Sequence, residues 1–355
     1  MRDNTKIINP ATAALAITVG SIAGQVQTTI TQQNEQIKTP IAQENQPSPF
    51  TRSGPGLNNM VKPELVEYGG NQILSESYNV ISQDNAGKLL LLNNKITNIL
   101  KFDYGTSYST PKVAHLAGKI ANKFPNKSSN FIKNLLLAGA DYSTLPNNFF
   151  YTTKQNFKTD HIYVNGYGLS TFEKATQSFD NRVILFDENR IGLNQIKVYS
   201  LIIPDIFFSE SGKKKIIVTL TFNPETRSTR GDSYLGNRME FHLFHTITPQ
   251  SLIDNYGNVS SDTETPENIK RYEISLFPGS NIRKAGCNQK AWKEYLREPR
   301  NTPSSTISLV LLNFNKWISD LTYMQDYCVS VTFEHESEID LYNTIRTNII
   351  TRVRV

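Results

Sequence analysis

Cysteine is nearly absent from this 355-residue sequence, with only Cys287 and Cys328. That excludes a disulfide-stapled fold and a zinc cluster built on thiolates. Histidine is also scarce, and the five at positions 115, 161, 242, 245 and 335 show no metal-ligand spacing. No metal and no cofactor is expected. No apolar run reaches the length of a membrane-crossing helix, so no membrane partner is expected either. Lysine and arginine exceed the acids by only 37 to 32, without long basic runs, which is too mild a balance to point to nucleic acid. What is present is core material. Hydrophobic residues make up 38% and charged residues 19%, which excludes wholesale disorder. The length suits two domains, and 18 Phe with 16 Tyr favour strands in at least part of the chain.

The N-terminus imitates a secretion leader, with Met1 and Arg2 ahead of the small-residue run 11–24. Asp3 and the Asn9-Pro10 pair interrupt it, and the alternation Ala16-Ile17-Thr18-Val19-Gly20 reads as a short buried strand. The chain is therefore expected in the cytoplasm. Two regions differ in texture beyond that point. Residues up to about 178 mix short apolar runs with helical periodicity. Val113, Ala114, Leu116, Ala117 and Ile120 form one apolar helix face, and a second helix is expected over about 129–138, opened by Ser128 or Ser129. From about 182 onward, the runs 182–186, 215–222, 239–244, 307–312 and 328–333 are β-branched and aromatic and are separated by polar turns. They predict an antiparallel β-sandwich with its own core. The fold class is thus α/β, a partial parallel-sheet domain over 1–180 followed by a β-sandwich over 181–355. The polar stretch 26–47 reads as a surface loop.

The sharpest constellation is Gly105-Thr106-Ser107-Tyr108-Ser109-Thr110-Pro111, directly ahead of the first helix. A serine at a helix start feels the positive end of the macrodipole, and its own N–H is free to donate to an oxyanion. Gly105 permits the tight approach and Pro111 is expected in the first turn. The plainer reading makes Ser107 an N-cap, and spacing alone favours it.

The segment resembles the serine motif of the subtilisin-like serine peptidases (subtilases), Gly-Thr-Ser-x-Ala/Ser-x-Pro followed by Val-Ala, here Val113-Ala114. Three other stretches are similar to that family in the same order. They are Asn9-Pro10-Ala11-Thr12 with the strand 16–20, Phe50-Thr51-Arg52-Ser53-Gly54-Pro55 with Lys62-Pro63-Glu64-Leu65-Val66, and Gly166-Tyr167-Gly168 with Ala175. The C-terminal half resembles the β-rich extension of a bacterial branch of these peptidases at 218–224, 325–331 and 341–346. The resemblance implies a serine-type endopeptidase acting on protein or peptide substrates, with Ser107 as catalytic nucleophile. Peptidases of this branch are often encoded beside an ATPase, which the resemblance implies as a partner.

The family's triad runs Asp, His, Ser, with an oxyanion asparagine between His and Ser. No Asp-Ser/Thr-Gly and no His-Gly-Thr motif occurs here, and no Ala-Gly-Asn segment precedes Asn9. The chain is therefore expected to be the C-terminal part of a subtilase: truncated, or completed by an N-terminal half, or a catalytically inactive binding module acting through its sandwich. A partial sheet is expected to expose an edge. Lys213-Lys214-Lys215 reads as a solvated turn. Trp292 and Trp317 read as sandwich core or rim. Arg227, Arg230, Asp232 and Arg238 read as a salt-bridged loop, and the acids at 334, 336, 338 and 340 as a turn without calcium spacing.

Overall fold

A computed structural model describes residues 5–24, 39–74, 79–80, 85, 87–95, 97–141, 154–257, 264–296 and 306–345. Most of the expected loop at 26–47 therefore lies outside the described residues. The chain divides into two compact units, Met1–Phe124 with Gly139–Phe172, and Pro125–Ala138 with Glu173–Val355. The fold is mixed α/β, with one sheet containing parallel pairs and several antiparallel ones.

The first unit is built on a four-stranded sheet. Its order is β1 (Val19–Ile22), β3 (Leu65–Tyr68), β8 (Leu169–Ser170) and β7 (Ala140–Asp141). β1 and β3 run parallel from Val19 opposite Leu65 to Ile22 opposite Tyr68, and β3 meets β8 in parallel at Val66 and Leu169. β1 starts later than the expected 16–20 because the backbone ahead of it is committed elsewhere. Ala16 O accepts from Lys62 Nζ at 2.7 Å, and Thr18 N donates to Glu64 Oε2 at 2.8 Å. The expected open edge is not observed at β1. Ala23 N donates to Gln46 O at 2.8 Å, Ser48 N to Ser21 O at 2.9 Å and Ser21 N to Thr51 Oγ1 at 2.9 Å, so the 45–51 segment covers that edge. A small pair, β2 (Thr39–Pro40) with β4 (Ile73–Leu74), and a hairpin, β5 (Leu89–Lys95) with β6 (Asn98–Asp103), complete the strands of this unit.

Helix α1 (Thr106–Lys123) packs on β1 and β3. Its buried face is narrower than the sequence suggests: Val113 and Ile120 are buried, Leu116 and Ala117 half-buried, and Ala114 exposed. Helix α3 (Lys154–Asn165) ends at the Gly166-Tyr167-Gly168 turn, which leads into β8 and the short α4 (Phe172–Thr176).

The second unit carries two antiparallel sheets. One has the order β10 (Gln195–Ile202), β14 (Thr306–Asn315), β12 (Asn237–His245), and the other β13 (Asn288–Tyr295), β11 (Lys214–Phe222), β15 (Met324–His335), β9 (Arg182–Gly192). The apolar runs of the sequence mark β9, β11, β12, β14 and β15, while β10 and β13 were not anticipated. Phe244, Val310, Leu312 and Phe314 form a core with Leu252 and Tyr256 from the helix Pro249–Tyr256. Helix α2 (Ser129–Ala138) belongs to this unit and lies on β11, β13 and β15. Ser128 opens it as expected, its Oγ accepting from Phe131 N at 3.1 Å. Asn134, fully buried, donates to Thr219 O at 3.0 Å and Cys328 O at 2.9 Å. At its C-terminal end the buried Lys290 ammonium donates to Leu137 O at 2.8 Å, satisfying a carbonyl the helix leaves unpaired. Lys214 is also buried, at 1% exposure, with its ammonium on Gly212 O, so the Lys213–Lys215 run is not a uniformly solvated turn. Both cysteines are buried and neither is in a disulfide.

Candidate active site

Gly105 is the N-cap of α1 and makes no side-chain cap bond. Its φ of +153° lies where an L side chain is strained, and its N–H donates to Gly69 O at 2.8 Å while its carbonyl accepts from Tyr108 N at 3.0 Å. The helix thus starts one residue ahead of Ser107. The serine hydroxyl is not a cap. It is exposed and without a hydrogen-bond partner among the described residues. The Ser107 N–H, in the first turn, has no intrahelical acceptor and lies at the positive end of an 18-residue helix. Pro111 sits one turn further in than expected. Having no N–H, it leaves the Ser107 carbonyl without its i+4 donor.

Ser109, two residues on, points the other way. It is fully buried, and its Oγ lies 2.5 Å from where a Cβ on Gly69 would stand, so residue 69 must be glycine for α1 to approach β3. Beside the serine, the Tyr108 hydroxyl donates to the Asp103 carboxylate. That bond, with smaller help from Lys101, holds Asp103 below the usual carboxylate range. Glu67 behaves oppositely: burial raises it despite a bond from Tyr68 N and the nearby Lys112. Neither acid carries a motif signal in the sequence, and neither bonds Ser107.

Histidine 115, exposed on α1, lies eight residues from Ser107, about 12 Å along the axis at 1.5 Å per residue. His161 is 2% exposed on α3, with Nε2 3.4 Å from Asn165 Nδ2, and burial pushes it down to about 4. The other three belong to the second unit. His242 lies between Glu273 at 2.6 Å and Glu240 at 3.8 Å, His245 bonds Thr246, and His335 accepts from Ser337 N. No group of three or more metal-binding side chains occurs among the described residues.

The family-like stretches of the sequence meet in one place. Lys62 and Glu64 form a buried ion pair at 2.6 Å. Gly54 N donates to Tyr163 O at 2.7 Å, and Tyr167 N donates to Glu64 O at 2.8 Å. Gly166 has φ +56°, and a Cβ there would stand 2.3 Å from Pro63 O and 2.4 Å from Glu64 O. The stretches at 9–20, 50–55, 62–66 and 166–168 are thus one interlocked support under the sheet that carries α1.

The subtilase family profile matches residues 2–167. An uncharacterized protein of Sinorhizobium fredii, y4bN, is 31% identical over 352 residues, covering 98% of this chain and 80% of the relative. The chain belongs to the subtilase family. The match spans the α1 serine segment and the interlocked support, and it stops just before the strands of the second unit. Among the described residues, no helix of this subtilase is long and apolar enough to cross a membrane.

Proposed function

We propose that this subtilase acts in peptide-bond hydrolysis as a serine-type endopeptidase, with Ser107 as the nucleophile and the Ser107 N–H as one oxyanion donor. One observation carries the reading: at the start of α1, Gly105 takes the capping position and leaves the Ser107 hydroxyl exposed and unbonded. The reading further holds that the 355 residues do not supply the rest of the machinery. The sequence has no His-Gly-Thr and no Asp-Ser/Thr-Gly motif. The histidines are accounted for above by α1 itself, by burial or by partners in the second unit. Without a base a serine hydroxyl keeps its high pKa and is a poor nucleophile. The base, its orienting carboxylate and the second oxyanion donor come, in this reading, from a polypeptide segment other than these residues, and a partner ATPase and the cytoplasm remain the expected setting. Residues 1–180 carry the peptidase part and 181–355 the extension. The extension is an antiparallel sandwich, supported by bonds from one sheet to the other: Tyr199 OH to Asp187 Oδ2 at 2.7 Å and Gln289 Nε2 to Met239 O at 2.7 Å.

The test is labelling by a serine-directed fluorophosphonate alongside hydrolysis of an unstructured peptide. The chain alone is expected to do neither, since both need the same base. Added polypeptide carrying the family's Asp, His and Asn motifs should give labelling that Ser107→Ala abolishes. Rapid labelling of the chain alone at Ser107 would show a base within it. Labelling that survives Ser107→Ala would remove the nucleophile assignment. The second reading, a catalytically inactive binding module acting through its sandwich, is favoured by an open cleft of about 720 Å³ in the second unit, walled by residues 128–130, 188–190 and 323–327.

A further inference from the structure

The segment joining β11 to β12 carries Arg227, Arg230 and Arg238, and only Arg238 is salt-bridged, against the expectation for all three. Arg238 Nε lies 2.8 Å from Glu240 Oε1. Arg227 and Arg230 are exposed and meet no carboxylate among the described residues. Glu225, in the same loop, reaches neither, and the Asp232 side chain lies outside the described residues. Elsewhere in this unit the exposed Arg190 does find its acid, Asp326, at 2.5 Å.

Both guanidiniums rest instead on one indole. Their central carbons stand 4.5 and 5.2 Å from the centre of the Trp317 ring. The ring is itself fixed, because its Nε1–H donates to Ser233 O at 2.6 Å and its backbone N–H to Gly236 O at 3.2 Å. The loop is closed in the same way. Arg227 N donates to Tyr234 O at 2.9 Å, and Gly236 N to Glu225 O at 2.7 Å. Arg230 N donates to Arg227 O at 3.1 Å, a tight turn that brings residues three apart to the same side.

Stacking engages the flat face of a guanidinium and leaves its in-plane N–H groups to donate elsewhere. Between the two arginines the hydroxyls of Ser228 and Thr229 are exposed and bonded to nothing described. Four successive side chains thus present donors, two of them charged, on a loop that is already ordered. That set suits an anion with several oxygens. A carboxylate, with one charge and two oxygens, fills a single fork. A phosphate monoester carries nearly two charges at neutral pH and three terminal oxygens, enough for both forks at once. We propose that Arg227 and Arg230, held on Trp317, bind a phosphate dianion, free or as the monoester of a polypeptide side chain, with Ser228 and Thr229 as further donors. The site lies wholly in the second unit and does not depend on the chemistry of Ser107.

The test uses the full chain, labelled so that the Trp317 indole N–H is followed by NMR, with Trp317→Phe to identify the signal. Inorganic phosphate is expected to shift it. A Gly-Ser dodecapeptide with one central phosphoserine should shift it at lower concentration if the dianion arrives on a polypeptide, and at the same concentration if it arrives free; both results support the site. By anisotropy, the fluorescein-labelled phosphoserine peptide should bind about tenfold tighter than the same peptide with serine or glutamate at the centre. Arg227→Gln and Arg230→Gln should each weaken it about tenfold. Arg227→Lys with Arg230→Lys keeps the charges but not the forks, and should also bind about tenfold more weakly. These side chains are exposed, so the variants leave the fold intact. Arg190→Gln, at an arginine that is already paired, should change nothing. Absence of an indole shift, equal affinity for the glutamate and phosphoserine peptides, full binding by the double lysine variant, or an equal loss with Arg190→Gln would each overturn the proposal. So would tighter binding of dodecathymidylate, which would assign the two arginines to a nucleic-acid backbone.

Discussion

Lys62 Nζ stands 2.6 Å from Glu64 Oε1, with the two side chains only 1% and 2% exposed. Each partner also serves the chain ahead of β1: the ammonium donates to Ala16 O, and the carboxylate accepts from Thr18 N. A Lys-Pro-Glu step thereby aligns β1 with β3, and that alignment supports α1 and its serine.

Replacing one partner should therefore be severe. Lys62→Met takes the ammonium away from a buried carboxylate and removes a donor to the Ala16 carbonyl, a loss of about 3–5 kcal/mol. Urea unfolding of the first unit, followed by amide exchange of β1, is the measurement. A loss below about 1 kcal/mol, the range of exposed pairs, would mean that water reaches the site.

Gly166→Ala should disrupt the same region for a different reason. The left-handed φ costs an alanine about 1–2 kcal/mol, and the new Cβ collides with the carbonyls of Pro63 and Glu64, which cannot retreat without breaking the Tyr167 N to Glu64 O bond. Slower recovery of soluble chain and loss of the slow-exchanging Tyr167 amide are the expected readouts.

Residues 180–355 form most of the second unit but omit α2. Without that helix, Lys290 loses its carbonyl acceptors, and the faces of β11 and β15 that carry Thr219, Thr221 and Cys328 are uncovered. The fragment 180–355 is expected to bind a hydrophobic dye and unfold broadly. A synthetic peptide of residues 125–139 should bind it, displace the dye and sharpen unfolding, and the same peptide with Asn134→Leu should do so less well, by about 1–3 kcal/mol for the orphaned carbonyls. A fragment already cooperative and blind to the peptide would contradict this packing.

The serine segment was legible because its needs are local. Only glycine suits the backbone of residue 105, and periodicity marks α1 and α2 as helices. Which unit α2 joins was not legible, since an apolar stripe says that a face is buried but not against what. The decisive groups, Asn134 and Lys290, are polar residues that pattern reading assigns to the surface. β13, with its sequence Asn-Gln-Lys-Ala-Trp-Lys-Glu-Tyr, carries no apolar pattern for the same reason. β10 was recoverable from the alternation of Ile196 and Val198 about Lys197. The covering of β1 by residues 45–51 rests on backbone and hydroxyl bonds that leave no periodic trace.

The buried His161 of the first unit and His242 of the second have opposite protonation preferences, while the second unit's His335, also buried, is held below its ordinary value by burial and opposes His242. On His161, burial disfavours the charge and holds the folded value at about 4, below the ordinary 6.5. Its contribution is fully present above pH 6.5 and is lost as pH falls toward 4, a change on the order of 3 kcal/mol. On His242, burial also opposes the charge, but the facing carboxylates of Glu240 and Glu273 outweigh it and hold the folded value above 6.5. Its contribution is fully present below pH 6.5 and is lost as pH rises through the raised value. The partner acids Glu240 and Glu273 are held below their ordinary value despite burial, so their own contribution fades only as pH falls below about 4.5. Both tryptophans, Trp292 and Trp317, belong to the second unit, so their fluorescence follows it alone. The Gly166 amide, bonded to Ile162 O at 2.9 Å, follows the first. In a chain carrying His245→Gln and His335→Gln, which remove histidines that burial holds below their ordinary value, the tryptophan-detected unfolding midpoint should rise between pH 8 and 5.5 while Gly166 protection falls. His242→Gln should flatten the first trend and His161→Gln the second. Parallel trends in the two probes would contradict the assigned environments of both histidines.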